Sequence, residues 1–351
     1  MAEDRAESLR MIRDSAAGIA PRSGDFKRIR SLRFTDPGFD RTVWQQMCEM
    51  GWLGLLVPEA GGGSGLGVQE FCALTEELGA SLVPEPLIPA AMAALLLPQE
   101  ELGDVLAGER IILPAWQEKA HSIDLASAGQ AGNGKVSARK MFIPMAAGAD
   151  AFLVTVPGGL ALVDRAAPGV HLELTRTQDG GNFGTLTLDQ APAKLFDGNA
   201  DRALEIATLA TSAYLLGAMD RVFGITLDYL RTREQFGRKI GSFQALQHRS
   251  ADLKIQVSLA RAVVNAAAAA QDEATDAAIR KAAVSRAKAR ASEAASSVTR
   301  GCIQLLGWTA PRHQSAKLGL SRTKEEPSMK ELTRIGLDTS KAVFTLHGAD
   351  A

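Results

Sequence analysis

Apolar residues recur at helical spacing in the first third of the chain. Up to about Leu106 this pattern predicts amphipathic helices separated by turns. In the segment FDRTVWQQMCEM the spacing predicts a stripe that faces a helical core. The side chains of this stripe are Phe39, Val43, Trp44, Met47 and Met50. A short apolar run, a proline and a glycine-rich loop follow, and we expect the next helix to begin near Val68.

The middle of the chain, from about Ile111 to Leu195, has a different pattern. Six short apolar or alternating runs are separated by Gly, Asp and Pro: IILPAW, KMFIPM, AFLVTV, GLALVD, VHLELT and GTLTLD. Because no helical period lies between these runs, they predict a small antiparallel sandwich or barrel. The pattern disfavours a parallel nucleotide-binding sheet.

From about Ala203 the pattern is helical again and alanine dominates it. Such a composition predicts long, closely packed helices in a bundle that extends across a subunit boundary. The fold class is therefore mainly α with a small β domain. We expect an N-terminal helical domain over residues 1–108, a middle antiparallel β domain over residues 109–196 and a C-terminal four-helix bundle over residues 197–351.

The charge balance narrows the possible partners. The 351 residues include 39 Lys plus Arg against 40 Asp plus Glu, which leaves no excess charge for a nucleic-acid backbone or an anionic membrane. No uncharged run is suited to spanning a bilayer, and the charged start MAEDRAESLRMIRD does not look like a signal peptide. We therefore expect a cytoplasmic protein without nucleic-acid or membrane partners.

Few residues suggest a metal or phosphate site of a common type. Cys48, Cys72 and Cys302 lack paired spacing and are interpreted as buried free thiols, and the five histidines are scattered. The glycine-rich run GGGSGLG lacks both the phosphate-loop Lys and the spacing of a dinucleotide fingerprint. It predicts a flexible turn in which the backbone approaches another group.

A more specific pattern occurs where the first long C-terminal helix is expected to end. Arg233 and Arg238 flank the turn Gln235-Phe236-Gly237, and Gln244 follows; we call residues 233–244 the corner. A guanidinium can bind two oxygens of a diphosphate, while an aromatic face and an amide suit other parts of a nucleotide. The alternative interpretation is a solvated charged turn with a core phenylalanine.

The stretch LDYLRTREQFGRKIGSFQALQHRSADLKIQVSLARA closely resembles the signature helix pair of acyl-CoA dehydrogenases. GWLGLLVPEAGGGSGLGVQEFCALTEELG resembles the N-terminal helical domain of that family, and GKVSARKMFIPMAAGADAFLVTV resembles its middle β domain. The resemblance implies that Arg233, Phe236 and Gln244 contact the FAD of a neighbouring subunit, and that Gln304 and Gly307 line the same cofactor. It also implies an oligomer, usually a tetramer.

The family oxidises acyl-CoA thioesters: a glutamate removes the α proton while the β hydrogen leaves as hydride to the flavin, and electron-transfer flavoprotein is the expected electron acceptor. The first of the two family positions for this base falls at Ala207, which cannot accept a proton. Glu205 lies about 200° away around the helix and is interpreted as a surface residue. The second position falls at Glu331, our candidate catalytic base, for which the alternative is a solvated helical glutamate.

Two further stretches depart from the family pattern. AWQEKAHS replaces the Thr-Glu-Pro strand and Gly-Ser-Asp loop, so the serine loop that binds the diphosphate is absent. Phe142, Ile143 and Pro144 replace the Trp-Ile-Thr stretch beside the flavin, so a hydroxyl donor is lost. These departures put in question the contacts that this chain's own β domain makes with FAD.

Three functions remain open on the sequence. The chain could be an active FAD-dependent acyl-CoA dehydrogenase, forming a homotetramer with Glu331 or another carboxylate as base. It could instead be the non-catalytic partner in a heterotetramer that acts on steroid or other bulky acyl-CoA substrates and lends FAD contacts across the interface. The third function, a helical scaffold without flavin, does not explain the corner.

Overall fold

The structure, a computed structural model, describes residues 2–21, 26–120 and 127–307. Its long helices lie at the two ends of the chain and its main strands lie between them, which confirms the predicted fold class. One cluster of buried apolar side chains continues through all three regions. The regions therefore share a core, and a cavity can form where they meet.

The N-terminal helices match the predicted pattern with one exception. Trp44 and Met47 of the predicted stripe are buried. Met50, which we also placed in the stripe, is 43% exposed, so that part of the prediction is wrong. Met50 is the C-cap residue that follows the end of the helix at Glu49. The helices in this part are α1 (Ala2–Ala16), α2 (Lys27–Leu32), α3 (Arg41–Glu49), α4 (Val68–Ala80), α5 (Leu87–Ala94) and α6 (Gly103–Leu106).

Helix α4 begins at Val68, as predicted, and most of its surface is buried. Its first backbone N–H groups, of Val68 and Gln69, donate to the carboxylate of Asp272 at 2.7 and 3.2 Å. A carboxylate at this position stabilises a helix N-terminus, because the free N–H groups there carry partial positive charge. The buried Glu76 of the same helix is paired with Arg13 at 3.0 Å and with Arg261.

The glycine-rich run after α3 folds against its own chain. A methyl group on Gly63 would overlap the backbone carbonyl oxygens of Gly54 and Val57. The group that the glycine-rich backbone approaches is thus the preceding turn of the same chain. This contact fixes the position of the segment that leads into α4.

The middle region contains two more strands than the sequence predicts. They form two sheets, in the orders β1-β4-β5-β8 and β2-β3-β7-β6. All pairings are antiparallel except that of β1 with β4, which is parallel. The strands are β1 (Ile112–Ala115), β2 (Gln130–Gly132), β3 (Lys135–Pro144), β4 (Ala151–Val156), β5 (Gly159–Asp164), β6 (Val170–Arg176), β7 (Asn182–Pro192) and β8 (Lys194–Asp197).

The C-terminal region contains three long helices in the part that the structure describes. These are α7 (Asp201–Thr232), α8 (Gln244–Glu273) and α9 (Ala277–Leu306), and a small hairpin of β9 (Glu234–Gln235) and β10 (Arg238–Lys239) lies between the first two. Small buried side chains such as Ala260, Ala287 and Ala291 let the helices pack closely. Within the described residues, none of the helices has the length and apolar character that crossing a membrane requires.

Helices α4 and α7 come into backbone contact. A methyl group on Gly217 of α7 would overlap the carbonyl oxygen of Glu76, and one on Gly79 of α4 would overlap that of Tyr214. Glycine at both positions is therefore a packing requirement. This contact fixes the first half of α7 against the N-terminal helices.

Candidate functional site

The corner is a tight turn that presents an aromatic side chain to solvent. Helix α7 ends at Thr232, and Arg233 continues in extended conformation into the hairpin. Phe236 and Gly237 both have positive φ, 55° and 73°, as a two-residue hairpin turn requires. Phe236 is 69% exposed, so it is not the core phenylalanine of the alternative interpretation.

The rest of the corner is anchored to the bundle. Ile240 is buried, and its N–H donates to the carbonyl oxygen of Arg233 at 2.9 Å. The ring of Phe243 meets the edge of Phe236 at 6.2 Å between centroids and the guanidinium of Arg238 at 4.2 Å. Both contacts have the geometry of attractive aromatic interactions. The turn is therefore held in place although its tip is exposed.

The predicted cofactor residues lie at one end of the helical bundle. Gln244 is the first residue of α8 and is exposed. Gln304 and Gly307 are exposed at the end of α9, where the side-chain oxygen of Gln304 accepts a hydrogen bond from Arg249 of α8. The structure thus brings Arg233, Phe236, Gln244, Gln304 and Gly307 to the same end of the bundle.

A cavity of about 310 Å³ lies elsewhere, where the N-terminal helices, the strands and α7 meet. Most of the side chains around it are apolar. They include Leu78 and Leu82 near the end of α4, Leu87 and Met92 of α5, Trp116 after β1, Phe142 of β3 and Leu215 of α7. This volume is at the lower end of the range for small-molecule sites.

The first half of α7 gives the cavity no acidic side chain. Ala207 and Thr208 line it, so the first family position for the base is an alanine in the cavity wall. Glu205 is directed elsewhere, towards Gln271 at 3.4 Å and Arg202 at 3.9 Å. It is not the surface residue that we predicted, because its side chain is only 17% exposed where it contacts Gln271 near the end of α8.

The two carboxylates among the lining residues already have partners. Glu85 accepts two hydrogen bonds from Arg28, at 2.7 and 3.2 Å, and a third from the N–H of Asp40. Asp179 accepts hydrogen bonds from Thr177 and from the N–H of Gly181. Both carboxylates are engaged in hydrogen bonds within the chain, so the described lining offers no unpaired carboxylate as a base. The candidate base Glu331 lies outside the described residues.

The departures from the family pattern in the β region also lie at the cavity. Trp116, Gln117, Phe142 and Pro144 line it, and Pro144 has no N–H to donate. Glu118 is directed away, to the ammonium group of the fully buried Lys140 at 2.7 Å. Burial would raise the pKa of Glu118, but hydrogen bonds from Lys140, Ser127 and the N–H of Ala128 outweigh it and lower that pKa. Glu118 is therefore held as a carboxylate that anchors the strands.

None of the charged residues that line the cavity was singled out from the sequence, and Lys288 is the most deeply buried cation among them. Lys288 of α9 lines the cavity and is 4% exposed. Burial lowers the pKa of Lys288 to about 8. Its spacing from the buried Val284, Ala291 and Ala295 places it on the core side of α9, and that spacing was a signal available in the sequence.

The corner and the cavity are far apart within this chain. The cavity contacts α7 between Leu204 and Leu215, whereas the corner begins at Arg233. At 1.5 Å per residue, Leu215 and Arg233 are separated by roughly 27 Å along the helix axis. The corner of one chain therefore lies well outside the cavity of the same chain.

Two family models match most of the helical parts of the chain. The one described as "Acyl-CoA dehydrogenase, N-terminal domain" matches residues 6–103, and the one described as "Acyl-CoA dehydrogenase, C-terminal domain" matches residues 198–320. Among curated relatives, "Acyl-CoA dehydrogenase IpdE2" of Mycolicibacterium smegmatis is 30% identical over 87% of this chain and 88% of its own length.

Solved structures resemble nearly the whole chain. A structure titled "Tcur3481-Tcur3483 steroid ACAD G363A variant" is 32% identical and has a TM-score of 0.80, covering 99% of this chain and 95% of that one. The "ChsE4-ChsE5 complex from Mycobacterium tuberculosis" is 26% identical and has a TM-score of 0.81, covering 98% and 94%.

Proposed function

This chain belongs to the acyl-CoA dehydrogenase family, and from that premise we propose that it is a subunit of a heteromeric acyl-CoA dehydrogenase. In this proposal the chain lends FAD contacts to a related subunit and does not carry the catalytic base. Its partner supplies the base, and the assembly introduces an α,β double bond into an acyl-CoA thioester. Electron-transfer flavoprotein is the proposed acceptor of the electrons.

The observation that carries this proposal is the position of the corner. Phe236 is exposed at the tip of an anchored hairpin, and the whole corner is roughly 27 Å along α7 from the chain's own cavity. Residues that bind a ligand held by another subunit need this outward placement. Phe34 is also exposed at positive φ, so what distinguishes Phe236 is its placement at the same end of the bundle as Arg233 and Gln244.

The residues at the corner suit a flavin dinucleotide. Arg233 would bind the diphosphate, because a guanidinium forms two parallel hydrogen bonds with phosphate oxygens. Phe236 would offer an aromatic face, and Gln244, Gln304 and Gly307 would complete the contacts from the same end of the bundle. Flavin, when bound, supplies the hydride acceptor of the reaction.

The cavity supports the non-catalytic role of this chain. Ala207 occupies a family position for the base, and both carboxylates among the described lining residues are paired within the chain. The structures titled Tcur3481-Tcur3483 and ChsE4-ChsE5 each name two polypeptides, and one title names a steroid enzyme. These relatives support a heteromeric assembly, and they favour a bulky acyl group as substrate.

Co-expression with a related acyl-CoA dehydrogenase subunit tests the proposal. We expect the chain purified alone to be colourless and inactive, and the co-purified assembly to contain fewer flavins than chains and to reduce its flavin when acyl-CoA is added. If this chain purified alone is yellow and acyl-CoA reduces its flavin, the result would contradict the proposal and favour the homomeric enzyme. Replacing Glu331 with glutamine would then show whether that residue is the base.

A further inference from the structure

The cavity is lined by a buried lysine that the proposed function does not use. Lys288 lines the cavity and is almost completely buried. Its ammonium group donates to the hydroxyl oxygen of Ser292 at 2.5 Å, and it makes no other hydrogen bond or ion pair with the described residues. A buried ammonium group with one neutral partner is unfavourable, because it has lost the water that would solvate its charge.

The other charged groups around the cavity differ from Lys288. Glu85 is paired with Arg28, and Asp179 accepts hydrogen bonds from Thr177 and Gly181. Arg33 donates to the carbonyl oxygen of Gln178 at 2.6 Å and is only partly buried, so water can still solvate its charge. Lys288 is thus the buried cation of the cavity lining that has no acidic partner among the described residues.

We propose that Lys288 binds an acidic group of the ligand that enters this cavity, and that the ligand is a bulky apolar molecule carrying a carboxylate. The apolar walls, with Trp116, Phe142 and Met92, suit a hydrocarbon chain or fused rings. A single ammonium group neutralises one negative charge, which matches a carboxylate. A phosphate would carry nearly two charges and need further donors. This site is independent of flavin binding at the corner.

A binding titration with a fluorescent fatty acid tests the inference. The probe is cis-parinaric acid, and its methyl ester is the neutral analogue with the same hydrocarbon chain. We expect the purified full-length chain to bind the acid at least about tenfold more tightly than the ester, because a charge-assisted hydrogen bond contributes on that scale. In K288M this preference for the acid should disappear while binding of the ester is retained.

K281M is the matched control, because Lys281 is an exposed lysine on the same helix. It should keep the preference of the unmodified protein. A second variant, K288Q, keeps a polar group without the charge and should lose the preference as K288M does. The inference is overturned if K288M binds the acid as tightly as the unmodified protein, if acid and ester bind the unmodified protein equally, or if the acid does not bind.

Discussion

The two ends of α7 differ in their surroundings. The first half is covered by the N-terminal helices and the strands, with backbone contact at Gly217 and a mainly apolar cavity beside it. The second end carries the corner, where Phe236 is largely exposed. This difference fits the two proposals, in which the cavity binds a ligand within this chain and the corner contacts a cofactor held by another subunit.

The largest expected effect concerns the packed end of the helix. In G217A the added methyl group would overlap the carbonyl oxygen of Glu76, so α4 and α7 must separate. We expect the free energy of unfolding to fall by about 3 kcal/mol, the upper end of the usual range for overpacking, because the overlapping atom belongs to the backbone and cannot rotate away. Chemical denaturation of the purified variant measures this change.

G224A is the control for this substitution. Gly224 lies on the same helix, and a methyl group there meets nothing within 4 Å. Alanine should stabilise this position by up to about 1 kcal/mol, because it has the higher helix propensity. Equal stability of the two variants would show that α7 does not pack against α4 as described, and the separation of cavity and corner would lose its basis.

The second prediction concerns Lys288, the buried lysine of the cavity. Its depressed pKa, about 8 against an ordinary 10.5, corresponds to a destabilisation of about 3 kcal/mol when the lysine is charged. At about pH 7 both the folded and the unfolded state carry the proton, so K288M should be more stable than the unmodified protein by about that amount.

The extra stability of K288M over the unmodified protein should fall as pH rises. Between about pH 8 and 10.5 the folded protein releases the proton of Lys288 while the unfolded chain retains it, so the unmodified protein recovers stability as pH rises. Denaturation should therefore show that the free energy of unfolding of K288M exceeds that of the unmodified protein by less at about pH 9.5 than at about pH 7. An advantage that grows with pH, or is absent at both values, would contradict the burial of this charge.

The corner could be predicted from the sequence to a greater extent than the cavity. The corner is contiguous in sequence, so residue spacing indicated both its position and its residues. The cavity is built from α4, α5, β3, α7 and α9, and no local pattern shows which residues meet there. The spacing along α9 places Lys288 on the core side but does not show that it meets the cavity, and the contact that buries Glu205 comes from α8.

The strands show the same limitation. Alternation of apolar residues indicated six strands correctly, but β2 has three exposed residues and β8 is short and largely exposed, so neither has an apolar pattern. The parallel pairing of β1 with β4 was also missed. Periodicity indicates which residues face the core and contains no information on strand direction.

The smallest expected effect on stability concerns the tip of the corner. F236A should change the free energy of unfolding by less than about 0.5 kcal/mol, because most of the ring is in solvent. In the assembly with the partner subunit it should weaken FAD binding by about fivefold, since an aromatic contact contributes on the order of 1 kcal/mol. Thermal unfolding and flavin release measure the two effects.

F34A is the matched control, because Phe34 is also a partly exposed phenylalanine at positive φ beside an arginine. It should leave flavin binding unchanged. If both variants lose flavin equally, the effect of F236A does not come from a contact at the corner.

The central claim is that the corner binds the diphosphate of FAD held mainly by another subunit. Its most direct test is the flavin content of the co-purified assembly carrying R233A, compared with R231A, a change at a neighbouring exposed arginine at the end of α7. The account predicts that R233A loses most of its flavin while R231A keeps the wild-type ratio of flavin to protein. Undiminished flavin in R233A would contradict it.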